Sequence, residues 1–364
     1  MNSTGWGGLE MNTLKLAREL SKRGVEIHQI VHGESKYASE LNEDFDQILR
    51  LVKPKKYFDL KNARRVWDYL KRNNIKNVLV AYRPDLDLAA ITKRKSKRSI
   101  HIIHQQHMIM GITKTGITQR YRYRAIDVWL CPLEILKPDV LQNTEVPNSK
   151  IRIAPIGLDV TKFMSFDGSK KEAQKMLGCE TDAKLLGVIG RIDAKKGQLF
   201  LPSAIKKLRE LGENVELLIV GTPTLNDPTS LAYMNELKER IKENDLSDYV
   251  HFSNFMEDVR LCYAAIDVLV LPSLSETYGM VTLEAMLSKT PVLGTNSGGT
   301  PEILNFGKLG ELYEVSNLDD FVRHYQNLQQ RLANGALNLD FIQSEIAKKY
   351  SIEQEVSAVL DAMI

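Results

Sequence analysis

Ten short apolar runs recur along this chain, each bounded by turn residues and separated from the next by chain enough for a helix, and that alternation constrains its fold most. In the first half Val25–Val31, Asn77–Tyr82, Ile100–His104, Asp127–Cys131 and Lys150–Ala154 read as strands. In the second half Lys184–Ile189, Val215–Val220, Tyr249–Phe252, Asp267–Leu271 and Pro291–Leu293 do so. Helical spacing fills the gaps, beginning with Met11–Arg23, where Leu14, Ala17 and Leu20 make one apolar stripe. Strand and helix in strict alternation imply parallel sheets with helices on both faces. The fold class is therefore α/β.

A chain of 364 residues is long enough for two such sheets, each with a full core. Pro155 to Ser169, with a proline, two glycines and polar residues, is the expected linker. The expected domains are residues 1–157 and 170–348, with 351–364 as a closing helix. Hydrophobic content of 43% and charged content of 26% describe an ordinary globular protein, and no apolar run approaches the length of a membrane span. The first residues carry no basic-then-apolar leader, so a cytoplasmic protein is expected. Cys131, Cys179 and Cys262 are widely spaced and fit small buried side chains in a reducing compartment.

The chemistry gathers at strand-to-helix junctions of the second half. Ile266–Pro272 reads as a buried strand and Thr282–Ser288 as a helix; between them stand Glu276, Thr277, Tyr278, Gly279 and Met280, with Glu284 about two turns into the helix. Backbone N–H groups of residues 277–280 would point out of a helix start at the carboxyl ends of the strands, a place that attracts phosphates. A diphosphate there leaves one carboxylate for a sugar and one for a ribose diol. In isolation, E-x7-E reads as easily as a helix cap and a surface residue. Two further loops reverse that. Gly190-Arg-Ile-Asp-Ala-Lys-Lys-Gly197 follows the apolar strand Leu185–Ile189 and places Arg191 and Lys196 where cations neutralise phosphate. Ser297-Gly-Gly-Thr-Pro-Glu302 follows Pro291–Leu293 and opens a third helix. Three such loops in one alternating region make a site.

The net charge of +3 conceals an asymmetry: residues 1–160 carry 28 Lys and Arg against 17 Asp and Glu, and the remainder 21 against 29. Something anionic is expected to face the first half. Lys93-Arg-Lys-Ser-Lys-Arg98 is the densest cluster, with Lys53-Pro-Lys-Lys56 and Arg120-Tyr-Arg-Tyr-Arg124 adding to it. Nucleic acid stacked on Tyr121 and Tyr123, a solvated helix surface, and an anionic membrane or phosphorylated lipid are three readings. The sugar-nucleotide character of the second half favours the membrane, peripheral on its inner face, and no nucleic acid. Asp85-Leu-Asp87 follows Pro84 at a helix start and reads as capping, not as a metal pair. No His/Cys cluster has zinc spacing. Gly5, Gly7 and Gly8 form a phosphate-type turn with no strand ahead of it, although such a turn ordinarily follows the central strand of a doubly wound sheet. Either the first sheet lacks a strand or the chain continues upstream.

Gly7-Gly-Leu-Glu10, Gly190-Arg191 with Lys196-Gly197, Glu276 to Glu284, and Ser297 to Glu302, in that order and spacing, make the chain resemble the GT-B, family 4 retaining glycosyltransferases over essentially its full length. The resemblance implies two Rossmann-like domains facing across a cleft, with the nucleotide-sugar donor mainly on the second and the acceptor on the first. It implies that Ser351–Ile364 crosses back to the first domain. It assigns Glu284 to the ribose hydroxyls and Glu276 to a hydroxyl of the donor sugar. Backbone amides of Thr277, Tyr278, Gly279 and Met280 take the sugar and diphosphate. Arg191 and Lys196, beside Gly190, take the leaving diphosphate, and Gly7 and Gly8 let backbone approach the phosphates. The family usually has a small residue at the Thr277 position and Leu or Ile at the Met280 position; neither change removes an amide.

The resemblance also implies a histidine at the end of a first-domain strand. His107 matches best and His104 is the alternative; a period of two puts His101 and His107 on one face. The implied activity is transfer of a sugar to a hydroxyl of a lipid-linked or cell-surface glycan, as in lipopolysaccharide or other surface polysaccharide synthesis, with no cofactor and no metal. A sugar-nucleotide epimerase or phosphorylase-type enzyme of the same fold, and a non-catalytic sugar-nucleotide-binding module, are the competing readings. The module would be marked by loss of Arg191, Lys196 or Glu276, and all three are present.

Overall fold

Twelve short strands form among the described residues, and every pairing between them is parallel. The computed structural model describes residues 1–41, 45–52, 54–55, 57–224, 227–254, 256 and 258–364. Lys53 and Lys56 of the basic stretch lie outside the described residues. The chain divides into two compact units, Met1–Gly157 with Tyr350–Ile364, and Leu158–Lys349.

The first unit holds two sheets. One pairs β1 (Gln29–His32) with β2 (Ile48–Leu51); the other runs in the order β3 (Asn77–Val80), β4 (His101–Gln105), β5 (Val128–Cys131), β6 (Ile151–Ile153). Sequence reasoning passed over β2 because only Leu51 of its four residues is buried, so it carries no apolar run. Helix Leu60–Arg72 starts on a side-chain cap, Asp59 accepting from Asn62 N at 3.0 Å. Helix Gly8–Lys22 begins three residues earlier than its apolar stripe suggests. Its Leu16 and Leu20 share a core with Ile103, Val128, Leu130 and with Ile352, Val356 and Val359. The last three lie on one face of helix Ile352–Leu360, and each buried aliphatic side chain contributes about 1.5–3 kcal/mol. That helix also buries Glu355, which accepts from Gln105 Nε2 at 2.6 Å and Gly157 N at 2.9 Å.

The second unit is one six-stranded sheet. Its strands are β7 (Lys184–Ile189), β8 (Val215–Val220), β9 (Val250–Ser253), β10 (Val268–Leu271), β11 (Val292–Thr295) and β12 (Glu311–Tyr313), in the order β12-β11-β10-β7-β8-β9. This is a doubly wound sheet whose strand order reverses between β7 and β10, the crevice where such sheets bind ligands. Buried β10 reads Val-Leu-Val-Leu, as a strand covered on both faces must. Helix Lys170–Leu177 is closed by a capping box of Ser169 and Glu172 and ends on Gly178 at φ +65°. Cys131, Cys179 and Cys262 are all buried, and no disulfide joins them. Among the described residues no helix is long and apolar enough to cross a membrane.

Candidate functional site

At the reversal point of the second unit, β7 and β10 deliver their loops side by side, and β11 adds a third. Leu274 N donates to Lys195 O at 2.9 Å, joining the first two. Thr295 Oγ1 donates to Ser273 O, and Ser297 Oγ to Leu274 O, each at 2.7 Å; Gly299 N donates to Glu276 O at 2.8 Å. Such closeness depends on glycine. A Cβ on Gly298 (φ +60°) would lie 1.9 Å from Glu276 O, and one on Gly197 (φ +69°) 2.0 Å from Pro272 O. The backbone around Glu276 is therefore held from both sides before its side chain makes any contact.

Lys196 Nζ meets Glu276 Oε2 at 2.6 Å, with the two side chains 26% and 15% exposed. Glu276 is thus not the helix cap that an isolated pattern would suggest. The N-cap of helix Met280–Leu287 is Gly279, at φ +76°, with no side-chain cap hydrogen bond. Buried Tyr278, half-buried Thr277 and half-buried Met280 lead into that helix start. Gly190 leaves β7 at φ +143°, and a Cβ there would approach Lys196 Cε to 3.9 Å. Arg191 is 69% exposed, 3.8 Å from Asp193. Glu284, in the second turn of the helix, accepts from Tyr263 Oη at 2.7 Å. Burial and the neighbouring carboxylate push the Tyr263 phenol well up, so it stays a donor. Sequence reasoning missed Tyr263, while Ser297, in the third of the expected loops, proves to stitch that loop to Leu274 O. Tyr263 is an apolar-run residue 21 positions from Glu284, and no local signal joins them.

In the first unit, Gly7 is the extended N-cap of helix Gly8–Lys22, at φ −168°. A Cβ on Gly8 would meet nothing within 4 Å, and one on Gly7 only Glu10 Oε2 at 3.8 Å, so the fold itself asks for no glycine at either position. The three histidines do three different things. β4 ends at Gln105, so His107 lies past the strand and does not share a strand face with His101. His107 lines a cavity of about 150 Å³ with Tyr82, Arg83, His104 and Met110, and its Nε2 is buried with no hydrogen-bond partner among the described residues. His104 Nδ1 bonds Val80 O at 2.7 Å, and its ring sits edge-on to Trp129 at 4.6 Å. His101 Nε2 bonds Ala362 O at 2.9 Å. Burial lowers His104 to about 4 and His107 to about 3, so both rings are neutral near pH 7.

Two expectations need correction. Asp85 and Asp87 do not cap: Asp85 accepts from Asn2 N at 3.0 Å and Asn2 Nδ2 at 2.9 Å, while Asp87 takes Phe58 N at 2.8 Å and Arg122 Nε at 3.3 Å. Chain segments distant in sequence reach these carboxylates first. The basic clusters are also smaller than their letters suggest. Lys93 is buried against Ala125 O and Asp127, Arg122 is held by Asp87, and Arg120 meets Glu145 at 2.6 Å. Tyr123 is buried beside Trp129 and has no free face for a base.

A doubly wound parallel sheet with a Lys–Glu pair and an uncapped helix start at its reversal point places this unit among the α/β folds that bind ligands in that crevice. Residues 169–338 match the family model for glycosyl transferases group 1, and residues 6–162 that for Glycosyltransferase Family 4. The chain belongs to the GT-B, family 4 glycosyltransferases. Among curated relatives it is 31% identical over 222 residues to the lipopolysaccharide core biosynthesis mannosyltransferase LpsB of Rhizobium meliloti (strain 1021), covering 59% of this chain and 60% of that one. It is 30% identical over 190 residues to a D-inositol 3-phosphate glycosyltransferase of Corynebacterium jeikeium (strain K411), covering 50% and 44%. The match thus spans about half the length of these relatives. The crystal structure of Anabaena HepE in complex with UDP superimposes with a TM-score of 0.85 at 16% identity, over 99% of this chain and 97% of that one. The expected GT-B fold of two Rossmann-like domains is thereby established.

Proposed function

We propose that this chain is a retaining glycosyltransferase that moves a sugar from a nucleotide-sugar donor to a hydroxyl of a lipid-linked or cell-surface glycan. The observation that carries this reading is the Lys196–Glu276 pair, held by three interlocked loops at the reversal point of the sheet. In the reaction the bond from the anomeric carbon to the diphosphate breaks, and the electron pair stays with the phosphate oxygen. Lys196 and Arg191 meet that growing charge, which is where fixed cations act most strongly. The acceptor oxygen bonds the anomeric carbon, and its proton leaves with the diphosphate. Glu276 holds a donor-sugar hydroxyl, Glu284 the ribose diol, and the amides of Thr277, Tyr278, Gly279 and Met280 the diphosphate and sugar. Neutral His107 has an Nε2 able to accept from a substrate hydroxyl. The UDP complex of HepE supports a nucleotide donor, and the name of LpsB supports an acceptor of surface-glycan type.

A panel of UDP-, GDP- and ADP-sugars, assayed for transfer and hydrolysis with EDTA present, tests the proposal. One donor is expected to turn over with retained configuration, and at the same rate with or without chelator, because protein cations balance the diphosphate. An inverted product refutes the retaining assignment. A rate lost in EDTA and restored by Mg²⁺ or Mn²⁺ refutes metal independence. Binding of a nucleoside diphosphate without turnover of any donor would favour the binding module.

The same reading places the acceptor at an anionic membrane, met by the exposed cations Arg94, Lys95, Lys97 and Arg98. Each well-placed cation contributes about 1 kcal/mol near such a surface. Sedimentation should show binding to vesicles with anionic lipid that weakens as salt rises, and replacement of these four by Gln should weaken it without slowing donor hydrolysis. Equal partitioning onto neutral vesicles would leave them as a solvated surface.

A further inference from the structure

β3 and β4 pair Val80 with His104, so Arg83 and His107 stand at the same offset beyond two adjacent parallel strands. The carboxyl ends of such strands are where open α/β sheets bind ligands. Both residues line the cavity of about 150 Å³, together with Tyr82, His104 and Met110. A cavity of that size has room for about one six-membered ring, and not for a chain of them.

The cavity wall is braced from behind. Buried Gln106 accepts from Trp129 Nε1 at 2.9 Å and donates to Met108 O at 3.2 Å, which fixes the turn that carries His107. Met110 N donates to Asp139 Oδ2 at 2.6 Å, which holds Met110 in the wall.

Two polar groups of this wall lack a partner that matches their chemistry. Nε2 of His107 is buried and unbonded among the described residues. The Arg83 guanidinium carries five donors, yet among the described residues it meets Met110 Sδ, through Nη1 at 3.1 Å, and no carboxylate. A thioether is a weak acceptor. The nearby acids are already engaged: Asp85 takes Asn2 N and Asn2 Nδ2, and Asp139 takes Met110 N and, at 2.7 Å, Asn143 Nδ2. Burial lowers both cavity histidines first; Arg83 lowers His104 further, and His104 and Lys15 lower His107. The cavity thus has cations beside it and neutral rings within it. A half-buried guanidinium left on a thioether is a cost that a ligand with paired oxygens would remove, because its fork of N–H groups matches a carboxylate or a phosphate.

We propose that Arg83 selects an acceptor sugar that carries an anionic group, a carboxylate or a phosphate. The guanidinium takes two oxygens of that group in a fork, and His107 Nε2 accepts from a hydroxyl of the same ring. This acceptor class rests on the glycosyltransferase reading above and replaces a neutral hexose with an acidic sugar or a sugar phosphate.

Binding is measured on the protein itself, through the imidazole NMR resonances of His107, with pairs of monosaccharides that differ in the charged group. The pairs are methyl glucoside with methyl glucuronide, methyl galactoside with methyl galacturonide, and mannose with mannose 6-phosphate. At least one anionic member should bind about 10–100-fold more tightly than its neutral partner, and the same compound should accept sugar from the donor that the protein turns over. Arg83→Gln should abolish that preference while leaving Tm and the affinity for the neutral partner unchanged. Arg83→Lys keeps the charge but not the fork, and should retain only part of it. Equal binding within every pair, or a preference that survives Arg83→Gln, would overturn the proposal. So would competition by inorganic phosphate or acetate as strong as that of the sugars, which would mark an ion site with no ring recognition. A changed choice between UDP-glucose and UDP-glucuronate in Arg83→Gln would move the anion to the donor and overturn the acceptor assignment. Because binding is read without turnover, a protein that prefers anionic sugars yet transfers from no donor refutes the glycosyltransferase reading and leaves the Arg83 fork standing.

Discussion

Lys196→Ala is expected to lower kcat by about 10²–10³ while KM changes by less than about tenfold. The charge that Lys196 meets is small in the bound donor and grows as the diphosphate departs, so most of the interaction is realised in the transition state. The ion pair with Glu276 is not a large stability term. Both partners keep contact with solvent, at 26% and 15% exposure, and pairs of this kind contribute about 0–1 kcal/mol. Tm should therefore move little. Steady-state kinetics and thermal unfolding on one preparation decide the matter. Losses shared equally between KM and kcat would make Lys196 a ground-state anchor, and a large fall in Tm would make it structural. Arg191→Ala should cost less, since its side chain is 69% exposed and free to adjust.

Gly298→Ala should be the most damaging single methyl at the site. The added Cβ would lie 1.9 Å from Glu276 O, in a backbone conformation of φ +60° that L residues rarely adopt. The left-handed strain alone costs about 1–3 kcal/mol, and relieving the clash breaks the Gly299 N to Glu276 O bond as well. Stability by denaturant titration should fall by more than about 2 kcal/mol, and nucleoside-diphosphate affinity should fall with it as Glu276 shifts. Gly8→Ala is the control: its Cβ meets nothing within 4 Å, and stability should stay within about 0.5 kcal/mol. A Gly298→Ala protein as stable as the parent would show that the three loops are not interlocked in solution.

Which parts of the molecule were legible in its letters follows from how local each one is. Each of the ten runs overlaps a strand, and the clearest, such as β10, are apolar residue after residue because both of their faces are covered. β2 and β12 were not legible: four and three residues long, they are held by their neighbours and not by any pattern of their own. At the site, glycines and charged residues at strand exits are local signals, and they mark Gly190, Arg191, Lys196, Glu276 and Gly279. Tyr263 carries no such mark, since its hydroxyl meets Glu284 only after two elements pack. The same limit explains Asp85, Asp87 and Lys93. Each looked like a helix cap or an exposed cation along the chain, and each is held by groups from another segment.

By itself the sequence determined the α/β class, the parallel alternation in both halves and the loops that carry the charged groups. Those properties depend on periodicity and backbone conformation, which act over a few residues. The tertiary structure alone decided that Lys196 and Glu276 lie 2.6 Å apart, that Tyr263 holds Glu284, and that residues of β1 and β3 line one cavity. Each of these depends on which edges and loops become neighbours once helices cover the sheets, and that is a property of packing across dozens of residues.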